Sequence, residues 1–128
     1  MIRTLGLAIA FSPTADRMLK AASVLLRIFN ARLVLIHVGD HGAKEEALMQ
    51  SMLSAHQLNP EIVSVCWEKG NTVRAILRAC ETQKVDLLLA GALTKENLIQ
   101  YYIGTVARQI MRKANCSVML LTQPVDEA

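Results

Sequence analysis

The chain has 128 residues, 52% of them hydrophobic and 20% charged; that excludes a disordered protein and fits one domain with a core of its own. Fourteen basic against eleven acidic residues leave a net charge of +3, too mild to imply a nucleic-acid partner, and aromatics at 4% argue against a stacking platform for single strands. No apolar run approaches the roughly 18 residues of a membrane span, and Cys66, Cys80 and Cys116 form no C-x-x-C pair, so neither a disulfide framework nor a metal site is indicated and a reducing cytoplasm is the expected location.

Ile2 to Ala10 is an apolar run that reads as a buried strand. It ends at Pro13 without a cleavage region, which argues against a signal peptide. Ser12-Pro13 then has the form of an N-cap followed by proline at the first helical position. Met18, Ala22, Leu25 and Phe29 repeat at helical spacing, and Asn30 can close that helix in a left-handed turn. Leu33 to Val38 is the second strand. After Gly39-Asp40-His41-Gly42, a second helix is expected over Ala43 to His56, with Ala47, Leu48, Met52 and Ala55 facing the core and Glu45-Glu46 on a solvated face.

Asn59-Pro60 ends that helix, and Ile62, Val63, Val65 and Trp67 mark a third strand. Gly70-Asn71 starts a third helix with Val73, Ile76, Leu77 and Cys80 inward. Val85 to Ala90 is the fourth strand, Gly104 to Ala114 the fourth helix, and Ser117 to Thr122 the fifth strand. Residues 1–122 thus form one expected domain and 123–128 a short tail. Strands that alternate with helices imply right-handed crossovers, and near-continuous apolar strands imply burial on both faces. The expected fold is α/β: a three-layer open parallel sheet of five strands. Ligands of such sheets sit at the carboxyl ends of the strands.

The first strand is followed by Ala8-Ile9-Ala10-Phe11-Ser12, not by G-x-G-x-x-G, and no P-loop motif occurs. His37 and His41 are four apart but fall on a strand end and a loop, a poor frame for zinc. His56 is expected to face solvent at a helix end. No local signature joins Ser, His and Asp, and no residue stands out as a general base, so no catalysis is expected. The informative corner is the strand that stops at Gly91, the mostly polar loop after it, and Gly104-Thr105 opening a helix. Free N–H groups at a helix start favour anions, and glycine lets a ligand approach the backbone. Arg108 falls in the first turns of that helix, and its default reading is a solvated face.

These residues carry a resemblance. The pattern G-x2-G-x9-G-[ST] after the fourth strand is similar to that of the universal stress protein family; here it reads Gly91-Ala92-Leu93-Thr94, nine residues, then Gly104-Thr105. The continuation from Val106 to Val118, the corner Phe11-Ser12-Pro13, and the segment from Gly70-Asn71 through Val85-Asp86-Leu87 resemble the family as well, so the likeness spans nearly the whole chain. It implies strand order 3-2-1-4-5 in an adenine nucleotide alpha hydrolase-like fold, and a homodimer through the last strand. It also implies a small cytoplasmic stress-response protein with an ATP-binding corner, magnesium accompanying the nucleotide. Carried over by position, adenosine would touch Ala8, Ile9, Ala10 and Val38. Ribose and phosphates would touch Ala90, Gly91, Leu93, Thr94, Gly104, Thr105, Val106 and Ala107.

Two positions depart from the pattern. ATP-binding members carry an aspartate where this chain has Ala10, and loss of such an acceptor removes about 1.5–3 kcal/mol. Thr94 stands in place of the second glycine, and a β-branched residue resists positive φ. These departures weaken the expected nucleotide corner. They also raise the alternative of a degenerate member that does not bind ATP and acts as a dimeric interaction module.

Overall fold

The computed structural model describes residues 1–11, 14–91 and 105–121. Five strands and four helices alternate: β1 (Thr4–Ala8), α1 (Ala15–Phe29), β2 (Arg32–Val38), α2 (Ala43–Ala55), β3 (Val63–Glu68), α3 (Thr72–Gln83), β4 (Leu87–Gly91), α4 (Thr105–Lys113) and β5 (Ser117–Leu121). The strands form one sheet in the order β3-β2-β1-β4-β5, and every neighbouring pair is parallel. The expectations at Ser12-Pro13, Thr122 and the tail 123–128 lie outside the described residues.

Alternation along each strand divides the core. Leu5, Leu7, Leu33, Leu35, Leu87 and Leu89 face one side, where α1 contributes Met18, Leu19, Ala22 and Leu26 and α2 contributes Met49. Val34, Ile36 and Leu88 face the other, against Val73, Ile76, Ala79 and Cys80 of α3 and Ile110 of α4. A central strand buried on both faces has no polar phase, which is why β1, β2 and β4 read as continuous apolar runs. β3 and β5 are the sheet edges, and their less uniform patterns follow from that position.

Local chemistry sets the helix ends. Asn30 takes φ 52° and ψ 49°, a left-handed close to α1. The side chain of Asn71 accepts the Arg74 N–H at 3.0 Å and caps α3. Glu45 reaches back to accept the Gly42 N–H at 2.9 Å, so it caps α2 instead of lying idle on a solvated face. At the amino ends of the strands, Asp86 accepts N–H groups from Arg3 at 2.9 Å and Thr4 at 3.0 Å. Its own N–H donates to Thr4 O at 2.9 Å, and its carbonyl accepts the Ser117 N–H at 3.2 Å. One residue thereby ties β1, β4 and β5 together.

Several expectations are corrected. β1 is shorter than the apolar run Ile2 to Ala10: its residue partners in β2 run from Thr4 to Ala8, and the Ile9 N–H makes the last bond, to Ile36 O at 2.9 Å. Ile62 lies in a single 3-10 turn, Pro60–Ile62, and is exposed. In α2 the stripe is out of phase: Ala47, Leu48 and Ala55 are exposed, whereas Met49 is buried and Met52 and Leu53 pack beside it. Apolar residues are spread around that helix, so its phase is decided by contact with the sheet and not by its own pattern. His56 is half-buried and pairs with Asp16 at 3.0 Å, joining the end of α2 to the start of α1.

Candidate functional site

A cavity of about 200 Å³ opens at the carboxyl ends of β1, β2 and β4, on the face covered by α3 and α4. The last even-numbered positions of the strands supply its floor: Ala8, Ile36, Val38 and Ala90. Register explains this, since Ala8 lies opposite Ile36 in the parallel ladder and both point to the same face. Ile9 contributes to the wall although its side chain packs in the opposite core. Small residues at Ala8, Ala10, Ala90 and Gly91 keep the space open.

Two helix starts border the cavity. Thr72 is the first residue of α3, and Val106 and Ala107 belong to the first turn of α4. Helix starts carry partial positive charge and unpaired N–H groups, so their convergence makes the rim attractive to an anion. Among the described residues, no charged side chain lines the cavity. The walls are apolar, suited to a flat heteroaromatic base, while the helix starts supply the polar component.

Gly91 ends β4 in contact with both faces of the sheet. A Cβ built there would meet Met18 Sδ at 3.0 Å and Cε at 3.4 Å, so a side chain would push into α1. The bare backbone of Gly91 therefore lines the cavity on one side and packs against α1 on the other. Of the twelve expected contact residues, Ala8, Ile9, Ala10, Val38, Ala90, Gly91, Val106 and Ala107 surround this one cavity. Leu93, Thr94, Gly104 and the side chain of Thr105 lie outside the described residues. Ile36, Thr72, Ile76 and Ile110 complete the lining and were not expected from sequence. Strand parity could have found Ile36, and the Asn71 cap could have found Thr72; Ile76 and Ile110 depend on how α3 and α4 dock.

Across the sheet, the same carboxyl ends carry an aromatic group. Phe11 lies 4.5 Å from the His37 ring, His37 meets Trp67 edge-on at 5.5 Å, and His41 stacks on Trp67 at 3.9 Å. His37 is buried, and its Nδ1 lies 3.1 Å from Ile9 O. A carbonyl only accepts, so Nδ1 carries the proton. His41 pairs instead with Glu46. The two histidines are therefore engaged separately. Gly39 follows with φ 147°, a conformation that favours glycine, and its N–H donates to Glu68 O at 2.9 Å. Trp67 and His37 lie opposite each other in the β2–β3 ladder, a proximity visible only once register is known.

The comparisons with known proteins agree on one family. The profile of the Universal stress protein family matches residues 1–122. The chain belongs to the universal stress protein family. A universal stress protein of Thermus aquaticus is 25% identical over 94% of this chain and 99% of its own length. Another, from Methanocaldococcus jannaschii, is 28% identical over 65% of this chain but only 48% of its own length, so the match spans about half of that relative. A universal stress protein solved in complex with cAMP superposes with TM-score 0.75 at 18% identity, covering 94% of this chain and 97% of its own. One from Archaeoglobus fulgidus in complex with dAMP gives TM-score 0.66 at 18% identity over 94% and 98%. The five-stranded parallel sheet in the order 3-2-1-4-5 is shared with this family. Among the described residues, no helix of this universal stress protein is long and apolar enough to cross a membrane.

Proposed function

We propose that this universal stress protein is a regulatory domain that binds an adenine nucleotide weakly in the cavity between α3 and α4. The observation that carries the reading is the convergence of two helix starts on an apolar cavity at the carboxyl ends of β1, β2 and β4. The complexes of two similar structures with cAMP and dAMP support an adenine ligand. Ala8, Ile36, Val38 and Ala107 would flank the base, and Gly91 with the start of α4 would face the phosphates. A volume of about 200 Å³ suits a base with part of its sugar; whole drug-sized ligands fill roughly 300–1,000 Å³. ATP, with magnesium on its outer phosphates, would therefore extend beyond this cavity. The domain acts by binding and not by catalysis, in the cytoplasm, as a homodimer.

A second reading is favoured by Ala10, where the resembling pattern has an aspartate. A member without the carboxylate that grips the nucleoside can serve as a dimeric interaction module with no nucleotide bound. Calorimetry with ATP, ADP and AMP in the presence of magnesium separates the two. Under the first reading each nucleotide binds weakly, and Ala10→Asp strengthens binding about ten- to hundredfold, because a charged acceptor contributes about 1.5–3 kcal/mol. No heat at millimolar nucleotide for either protein would remove the first reading and leave the second.

A further inference from the structure

On the face shared by α3 and α4, away from the candidate nucleotide cavity, a cleft of about 500 Å³ is lined by Cys80 and Cys116 together with Arg78, Lys84 and Lys113. Cys80 lies near the end of α3, and Cys116 lies in the turn between α4 and β5. Both pack into the same apolar cluster and line the same cleft. Two thiols on the wall of one cation-rimmed cleft have no role in the nucleotide reading.

We propose that Cys80 and Cys116 form a dithiol modification site that a small carboxylate-bearing disulfide converts into a Cys80–Cys116 disulfide. The surroundings assign different roles to the two sulfurs. Burial pushes the Cys80 thiol up to about 12, with Cys116 adding to the rise. Burial also raises Cys116, but there Cys80 acts in the opposite direction and favours the thiolate, whereas at Cys80 the pairing favours the thiol. Cys116 is half-buried and Cys80 buried, so Cys116 is also the one an oxidant reaches first. Its thiolate attacks one sulfur of the incoming disulfide, forming a mixed disulfide and expelling one thiolate. Cys80 then loses its proton to the leaving group and attacks the Cys116 sulfur, expelling the second. The protein loses two thiol hydrogens and two small thiols leave. Lys84 and Lys113 attract the carboxylates of the oxidant, whereas the nearby Glu81 opposes them.

The product ties α3 to the entry of β5. The opposite ends of α3 and α4 border the candidate nucleotide cavity, so the crosslink lies at the far end of α3 from it.

The test uses the full chain incubated with oxidised glutathione, then alkylated and mapped by mass spectrometry. The expected product is a Cys80–Cys116 disulfide with Cys66 still alkylatable. Cys80→Ala should stall as a mixed disulfide on Cys116, and Cys116→Ala should leave position 80 reduced. Lys84→Gln with Lys113→Gln should slow oxidation by glutathione several-fold at low salt without slowing oxidation by the uncharged hydroxyethyl disulfide. The proposal is overturned if Cys66 is the partner found, if the bond forms only in urea, or if Cys116→Ala reacts at Cys80 as fast as the unaltered protein.

Discussion

Asp86 shows how much one side chain can organise. Its carboxylate accepts the N–H groups of Arg3 and Thr4, and these two bonds hold its pKa below the ordinary carboxylate range. A carboxyl whose folded pKa is depressed adds stability above its unfolded value, near 4, and loses it as pH falls through the folded value. Asp86→Ala should therefore cost about 1 kcal/mol near neutral pH, a modest figure because the group is solvent-screened. The difference from the unaltered protein should shrink as pH drops below about 4. Chemical denaturation at several pH values checks this; a pH-independent difference would refute the charge argument. The sequence placed Asp86 at the head of an apolar strand, but which N–H groups it would meet depended on β1 lying beside β4.

At the scale of elements, α1 and α3 were legible because their apolar residues recur on one face and their ends carry Asn30 and Asn71. The cap at Asn71 also sits beside Thr72 on the rim of the candidate nucleotide cavity. Asn71→Ala removes the acceptor for the Arg74 N–H and should destabilise the domain by about 1 kcal/mol, read as a lower melting temperature. Asn71→Asp, which restores an acceptor and adds a negative charge at the helix start, should recover the loss. Equal melting of Asn71→Ala and the unaltered protein would show that the cap is idle. By contrast, α2 misled the reading of its core face, because Ala47, Leu48, Met49, Met52 and Leu53 span most of its circumference and only docking selects Met49.

At the scale of the molecule, the sheet leaves two edges, and β5 itself carries an exposed apolar side chain at Met119. An edge strand that exposes an apolar side chain invites a second copy. Light scattering of the purified chain should give twice the chain mass, and Met119→Lys, which sets a charge on that edge, should shift the protein to monomer without lowering its melting temperature. A monomer mass for the unaltered protein at high micromolar concentration would remove the dimer from the proposal. The thiol pair on the far side of α3 and α4 does not depend on this edge.

The sequence by itself determined the alternation of strands and helices, the parallel sheet, the glycine that ends β4 and the family. These rest on local periodicity, turn chemistry and the spacing of a few residues, all of which survive in one dimension. It also named most of the residues around the cavity, since strand ends and helix starts are local features. Tertiary structure alone decided how the helices dock and how the strands register, and so brought Ile76 and Ile110 to the cavity and His37 to Trp67. It alone brought Cys80 and Cys116 to one cleft. Register and helix docking join residues far apart in the chain, and no local pattern encodes the distance between them.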